Sequence, residues 1–329
     1  MVRLVQVPLD GSSFAEHALP LAMSLALRHG AALQIVRVHE PIAKVDFDRR
    51  ASFAATLDSE LLERDQADLD ATVERLREVA DIRVSSALVK GPVAEAIAQQ
   101  AAASGANLIV MTTHARGTLG RFWFGSVADA LVRRSLLPIL LVRPQEAAAD
   151  VSHQPLIRQV LIPLDGSALA EQALEPALAL GGESQTEYTL MRVATPVIAV
   201  TPDVKSRRVS GLNTSLLREL EELHRRRQIE AADYLEQLAA RLCARSLVVH
   251  TRVVLDDRVA AAILEESLTI GADAIALTTR GQSGLKRLLL GSVANKLIRG
   301  TTTPVLVCPP AFLLFTEQAP APWPAAPLN

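Results

Sequence analysis

Short apolar runs alternate along the chain with longer segments in which leucine and alanine recur at helical spacing. The first such runs are residues 3–9, 32–40, 82–90, 107–113 and 137–143. Runs of this length, rich in Val, Ile and Leu, predict buried β-strands. The segments between them predict helices over 13–29, about 51–80, 93–104 and from Ser126 onward. This alternation predicts a parallel sheet with helices on both faces, but it leaves the order of the strands open.

The same series of elements occurs twice. "VPLDGSSFAEHALPLA" at 7–22 matches "IPLDGSALAEQALEPA" at 162–177, 155 residues later, and "GSVADALVRRSLLPILLVRP" at 125–144 matches "GSVANKLIRGTTTPVLVCPP" at 291–310, 166 residues later. The second copy therefore carries 11 extra residues, which we place mostly within 195–246. Its predicted strands are 159–164, 188–194, 246–254, 274–279 and 303–308.

This duplication predicts two homologous α/β domains, here called copy one (1–146) and copy two (156–311), followed by a Pro-rich tail, 312–329. A long helix within the inserted region, with leucines such as Leu223, Leu235 and Leu242, is expected to cover the sheet or to form a dimer contact.

Composition narrows the classes of partner. Hydrophobic residues make up 49% of the 329 residues and aromatic residues only 3%, so the core must be built from aliphatic side chains. The net charge of −2 shows none of the excess positive charge that is typical of proteins that bind nucleic acid. Cys243 and Cys308 have neither metal-ligand spacing nor the pattern of a disulfide framework. With no apolar run long enough to span a bilayer and no leader expected before Asp10, we expect a cytoplasmic protein without a membrane partner.

Two loops in each copy carry candidate chemistry. Asp10 and Asp165 follow the first strand of their copies, and a glycine-containing loop follows the fourth. Both loops lie at the carboxyl edge of the predicted sheet, where open α/β sheets bind ligands. Gly291 and Ser292 open a helix, whose N–H groups favour an anion such as phosphate. The plainer alternative is that the aspartates and serines only cap helices and the glycines only form turns.

Other site patterns do not occur. The sequence contains no G-x-x-x-x-G-K-[ST], G-x-G-x-x-G or G-x-S-x-G motif and no clustered metal ligands. His114 is replaced by Arg280 in copy two, which argues against a catalytic histidine common to both copies. No catalytic or metal-binding residue is therefore predicted.

The "PLDGS" start, the loop after strand four and the "GSVA" segment leading to the last strand resemble the universal stress protein family. The resemblance covers roughly 1–145 and 156–311, as a tandem arrangement. It implies that each copy is a Rossmann-like, adenine nucleotide α-hydrolase-like domain with a five-stranded parallel sheet of order 3-2-1-4-5. It also implies an internal pseudo-dimer through the fifth strands, with a homodimer of the whole chain as a further expectation.

ATP-binding members of the family carry G-x2-G-x9-G-[ST] after strand four. In copy two, Gly281 and Gly291-Ser292 match its second half, whereas Thr278 stands at the first glycine. The resemblance implies that these residues of copy two bind the nucleotide: Pro163, Leu164, Asp165, Val193, Thr278, Arg280, Gly281, Gly291, Ser292 and Val293. Copy one matches more weakly, through Pro8, Leu9, Asp10, Val38, Thr112, His114, Ala115, Gly125, Ser126 and Val127.

By the same resemblance, the Pro-Leu-Asp segments line the adenine and ribose, and Val38 and Val193 contact the adenine through their backbone. The implied function is a stress-response or regulatory protein that binds ATP, ADP or AMP, with or without Mg²⁺, best in copy two, and at most hydrolyses ATP slowly. Two alternatives stay open. One is an interaction module without nucleotide, favoured by Thr112, Ala115 and Thr278; the other is an enzyme of the wider adenine-nucleotide α-hydrolase-like group.

Overall fold

The computed structural model describes residues 1–41, 48–113, 125–145, 147–181, 186–196, 214–279 and 290–309. The strands within these ranges form one sheet. Copy one contributes β1 (Leu4–Pro8), β2 (Ala32–His39), β3 (Val84–Lys90), β4 (Leu108–Thr112) and β5 (Ile139–Val142). Copy two contributes β6 (Gln159–Pro163), β7 (Glu187–Ala194), β8 (Val248–Leu255), β9 (Ala274–Thr278) and β10 (Val305–Cys308). The sheet order is β3-β2-β1-β4-β5-β10-β9-β6-β7-β8, so each copy has the implied order 3-2-1-4-5.

The two copies join through their last strands. All pairs within a copy are parallel, whereas β5 and β10 pair antiparallel, with Leu140 opposite Leu306. Both leucines are fully buried. Pairing removes two apolar sheet edges that would otherwise template other chains. The fold class predicted from the alternating pattern and the resemblance is confirmed.

Helices cover both faces of the sheet. One face carries α1 (Leu19–His29) and α2 (Asp48–Val79) of copy one, with α5 (Ala168–Glu171), α6 (Leu174–Gly181) and α7 (Thr214–Cys243) of copy two. The other face carries α3 (Val93–Ser104), α4 (Ser126–Arg134), α8 (Val259–Thr269) and α9 (Ser292–Gly300). Each face has its own apolar cluster, and both clusters contain residues of both copies. Among these helices, none combines the length and the apolar character needed to cross a bilayer.

Two predicted helices differ from the structure. The single helix expected over 13–29 is wrong in its first part, because a 3₁₀ turn over Ala15–Ala18 precedes α1. Pro20 lies in the first turn of α1, where its missing N–H costs nothing, and this favours a new start at Leu19. The helix expected from about residue 51 already begins at Asp48.

The long helices α2 and α7 cover the sheet with their C-terminal halves. Leu69 and Leu76 of α2 are buried, and so are Leu235 and Leu242 of α7, each 166 positions later. The N-terminal half is more open, since Leu223 is 44% exposed. The expectation of a sheet-covering helix therefore holds for the second half of α7. The equal spacing also fixes which residues of the two helices correspond.

Candidate functional site

The turn after the first strand has the same hydrogen bonds in both copies. In copy two, Asp165 Oδ1 accepts hydrogen bonds from the N–H of Ser167 (2.9 Å) and from its hydroxyl (2.6 Å). Ser167 Oγ in turn accepts from Ala170 N (3.1 Å) and is the N-cap of α5. In copy one, Asp10 Oδ1 likewise accepts hydrogen bonds from the N–H and the hydroxyl of Ser12, and Ser12 Oγ accepts one from Ala15 N.

In copy two, the alternative that the aspartate itself caps the helix is therefore wrong, because Ser167 is the N-cap of α5 and Asp165 holds it. Between them, Gly11 and Gly166 have φ of +78° and +86°, a region that favours glycine. One oxygen of each aspartate is thus held by hydrogen bonds within the turn.

The helix after the fourth strand begins with a glycine in both copies. Gly291 is the N-cap of α9, and its N–H donates to Thr279 O (2.8 Å) at the end of β9. Gly125 does the same for α4, donating to Thr113 O (2.7 Å). A glycine cap has no side chain to accept the first N–H groups of its helix.

Ser292 is the first helical residue, so the alternative that it only caps α9 is wrong. The first turn of α9 therefore presents backbone N–H groups and the positive end of a helix dipole beside β9, the arrangement that binds anions.

These two elements meet at one cleft in copy two. Its volume is about 570 Å³, within the range usual for small-molecule sites. Eight of the ten residues predicted for copy two line it: Pro163, Leu164, Asp165, Val193, Thr278, Gly291, Ser292 and Val293. Arg280 and Gly281 lie outside the described residues. The sequence reasoning thus brought together residues that are more than 100 positions apart along the chain.

The described residues that line the cleft of copy two include an apolar group and a charged group. Met191, Val259, Ile263 and Leu277 line it from β7, α8 and β9, together with Val193. Four charged residues also line it: Asp165, Arg192, Arg227 and Glu230. Arg227 reaches from α7 and donates to Thr195 O (2.8 Å), the first residue after β7. The apolar residues suit a flat aromatic ring, and the charged residues can contact a polar group.

Copy one has a smaller cleft at the equivalent place. Its volume is about 310 Å³, and eight of the ten residues predicted for copy one line it: Pro8, Leu9, Asp10, Val38, Thr112, Gly125, Ser126 and Val127. His114 and Ala115 lie outside the described residues. Among the described residues, the charged ones that line this cleft are Asp10, Arg37, Glu40 and Asp65. Counted over the described residues alone, three carboxylates and one guanidinium give an excess of two negative charges, whereas two of each give none in copy two.

An arginine at the same position of strand two lies beside each cleft, and the sequence analysis missed both. In copy one, Arg37 forms ion pairs with Asp65 (2.8 Å) and Asp68 (3.3 Å). In copy two, the guanidinium carbon of Arg192 lies 5.1 Å from the ring centre of Tyr234. Both guanidinium groups rest on the glycine of the first turn. A Cβ added to Gly166 would come within 2.9 Å of Arg192 Nη2.

Copy one also buries a histidine between carboxylates. His39, at the end of β2, is 3% exposed, and its ring nitrogens lie 2.9 Å from Asp65 Oδ2 and 3.1 Å from Asp58 Oδ1. The hydrogen bond to Asp65, followed by that to Asp58, raises the pKa of His39 above its usual value. Copy two has Ala194 at the corresponding position, 155 residues later. The two clefts are therefore alike in backbone and different in electrostatics.

Known proteins match both halves of the chain. The family model described as the Universal stress protein family matches residues 1–143 and 157–309. A universal stress protein of Mycobacterium tuberculosis is 30% identical over 203 residues, which are 61% of this chain and 61% of that protein. One of Mycolicibacterium smegmatis is 25% identical over 312 residues, covering 93% of this chain and 97% of that protein.

Solved structures show the same fold over nearly the whole chain. A universal stress protein from Archaeoglobus fulgidus has a TM-score of 0.57 at 20% identity and covers 93% of this chain and 96% of its own. A universal stress protein solved in complex with cAMP covers 44% of this chain at 22% identity and a TM-score of 0.33, a likeness that carries no information about the ligand of this one. With a family model that matches both copies, the chain belongs to the universal stress protein family.

Proposed function

We propose that the chain binds ATP, or the related ADP or AMP, in the cleft of copy two, and acts in a cytoplasmic stress response or its regulation. One observation carries the proposal: a cleft of about 570 Å³ joins apolar residues to a helix N-terminus that has a glycine cap. An adenine nucleotide has the matching halves, an aromatic base and an anionic phosphate chain.

The base fits the apolar residues of the cleft. Met191 and Val193 of β7 and Leu277 of β9 provide aliphatic surface, and α8 adds Val259 and Ile263. Asp165 also lines the cleft, and a ribose hydroxyl can donate to its carboxylate. Its Oδ1 is already held by the N–H and the hydroxyl of Ser167, and a group positioned before the ligand arrives lowers the entropic cost of binding.

The phosphates fit the first turn of α9. The N–H groups of Ser292 and Val293 and the Ser292 hydroxyl are donors, and the helix dipole adds a favourable field. The loop containing Arg280 and Gly281 leads into this helix in the sequence. Mg²⁺ bound with a nucleotide is held mainly by the phosphates and by one or two carboxylates, and Asp165 is a carboxylate that lines the cleft.

Copy one supports the alternative of a nucleotide-free interaction module. Its cleft is smaller and carries two excess negative charges among the described residues that line it, which disfavours a polyanion. We therefore assign the nucleotide to copy two. Binding rather than rapid turnover is proposed, because the resemblance assigns no catalytic residue.

A matched pair of substitutions tests the proposal. Ser292→Asp and Ser126→Asp each place a carboxylate in the first turn of a helix. A negative charge there interacts favourably with the helix dipole, so both variants should fold. Titration calorimetry with ATP on the full chain should show tight binding to the wild type, unchanged by Ser126→Asp. Ser292→Asp should weaken it at least about tenfold, since it sets a negative charge against the phosphates.

An absence of ATP binding by the wild type would overturn the proposal. Loss of binding through Ser126→Asp alone would move the site to copy one. Release of measurable phosphate at more than a few turnovers per hour, from the same samples, would favour the enzyme alternative instead.

A further inference from the structure

The inference concerns Arg192 and Arg37, which stand at the same position of strand two, 155 residues apart, but have different neighbours. The helix that packs beside each arginine is α2 in copy one and α7 in copy two. Two observations show which residues of these helices correspond. The first is that buried Leu69 and Leu76 of α2 match buried Leu235 and Leu242 of α7 at a spacing of 166 residues.

An ion pair supports the same register. Glu16 pairs with Arg75 (2.9 Å) in copy one, and Glu171 pairs with Arg241 (3.4 Å) in copy two, again 166 positions later for the arginine. With this register, the two carboxylates that hold Arg37, Asp65 and Asp68, correspond to Ala231 and Tyr234. Copy two thus keeps the arginine but lacks both of the carboxylates that neutralise it in copy one.

The aromatic replacement positions Arg192. Its guanidinium lies 5.1 Å from the ring centre of Tyr234, within the distance of a cation–π contact, and rests on the backbone of Gly166. Tyr234 itself is anchored, because its hydroxyl donates to Glu171 Oε1 (3.1 Å). A guanidinium stacked on a neutral ring keeps its charge and its N–H donors available to a ligand. In copy one, the same donors point to two aspartates.

We propose that Arg192, positioned by Tyr234, is the residue of copy two that selects an anionic ligand, and that Asp65 and Asp68 remove this property from copy one. The inference rests on the proposed nucleotide site and adds what distinguishes its two copies. The ligand class follows: in copy two an adenine compound with phosphate groups, in preference to the uncharged nucleoside.

The test compares ATP with adenosine on the full chain by titration calorimetry. Tyr234→Asp introduces into α7 the residue that α2 of copy one carries at the corresponding position. It should weaken ATP binding at least about tenfold, which is about 1.4 kcal/mol, and change adenosine binding less than about twofold. Tyr234→Phe keeps the ring and loses only the hydrogen bond to Glu171, so it should bind ATP within about threefold of the wild type.

The reciprocal variant works in copy one. Asp65→Asn combined with Asp68→Tyr removes both charges that pair with Arg37 and keeps a hydrogen-bond acceptor for His39. This variant should add ATP affinity there and raise the stoichiometry from about one to about two nucleotides per chain. Far-UV circular dichroism and the unfolding midpoint verify that each variant is folded.

The outcomes separate the inference from the proposed function. Failure of the wild type to bind either compound contradicts the nucleotide site itself. Binding of ATP by the wild type with no loss in Tyr234→Asp, or with equal loss of ATP and adenosine, overturns the inference alone. A wild type that binds two ATP molecules, or a double variant that gains none, overturns its claim about Asp65 and Asp68.

Discussion

Replacing Gly166 by alanine should destabilise copy two and displace Arg192 at the same time. Gly166 has φ of +86°, and an added Cβ would lie 2.9 Å from Nη2, 3.0 Å from Cζ and 3.2 Å from Nη1 of Arg192. No Cβ normally approaches other heavy atoms as closely as the first of these distances. The guanidinium, which is the far end of a flexible side chain, must therefore shift away from the glycine, and its contact with Tyr234 shifts with it.

The magnitude follows from two contributions. The left-handed backbone costs alanine about 1–2 kcal/mol relative to glycine. Loss of the cation–π contact adds about 0.5–1 kcal/mol. Gly271, also in copy two, supplies the matched control, because its φ is +63° and an added Cβ would meet no atom within 4 Å. Gly271→Ala should therefore show only the first contribution, and Gly166→Ala should cost about 1 kcal/mol more.

Urea unfolding followed by far-UV circular dichroism measures the difference in the free energy of unfolding between the two variants. The same samples, titrated with ATP, should show weaker binding for Gly166→Ala and unchanged binding for Gly271→Ala. Equal destabilisation by both substitutions would refute the argument that the guanidinium resists the Cβ. Unchanged ATP affinity in Gly166→Ala would refute the role of the displaced arginine in binding.

Three further predictions concern other parts of the molecule. Hydrogen bonds to carboxylates raise the pKa of His39 in the folded protein above its value in the unfolded chain. Protonated His39 therefore stabilises the folded protein below about pH 6.5, and this contribution is lost as the pH rises through the folded pKa. Urea midpoints of the wild type should thus fall more steeply between about pH 6 and 8 than those of His39→Gln; parallel curves would contradict this. A thiol reagent should modify exposed Cys243 in the folded chain and reach Cys308 only after denaturation, because burial raises the pKa of the Cys308 thiol and blocks access. Leu306→Ala, opposite Leu140 in the joining strands, should lower the free energy of unfolding by about 2–5 kcal/mol, and a loss below about 1 kcal/mol would mean that this contact does not hold the copies together.

Local patterns predicted the strands and the two loops at the carboxyl edge of the sheet, and the family resemblance supplied the other residues of the clefts. A buried apolar run defines a strand, and the residue after it lies at the carboxyl edge, so Asp165 and Ser292 could be placed together before any coordinates. The roles of Asp165 and Ser292 were less accessible, since capping by Ser167 and Gly291 depends on backbone angles. The new start of α1 was visible in Pro20, and the prediction overlooked it.

The contact between Arg192 and Tyr234 lay beyond such patterns. The contact joins β7 to α7 across a region whose length differs between the two copies. The register of α7 is set by the packing of residues such as Leu235 against the sheet. A comparison of the two long helices by their buried positions, rather than by sequence identity, would have revealed the change from Asp68 to Tyr234. The joining of β5 and β10 came from the family resemblance, because apolar edge strands alone do not specify a partner.

The antiparallel pairing of β5 and β10 also decides where the two clefts face. Every parallel strand of copy one runs opposite to those of copy two, so the carboxyl ends of the two sets, and the clefts with them, lie at opposite edges of the sheet. A protein docked over one cleft leaves the other open to solvent. Between the two clefts stand the hydrogen-bonded strands β4, β5, β10 and β9, so any influence of one cleft on the other must cross this central ribbon. The chain is thus a two-ended molecule whose clefts open at opposite edges of one continuous sheet.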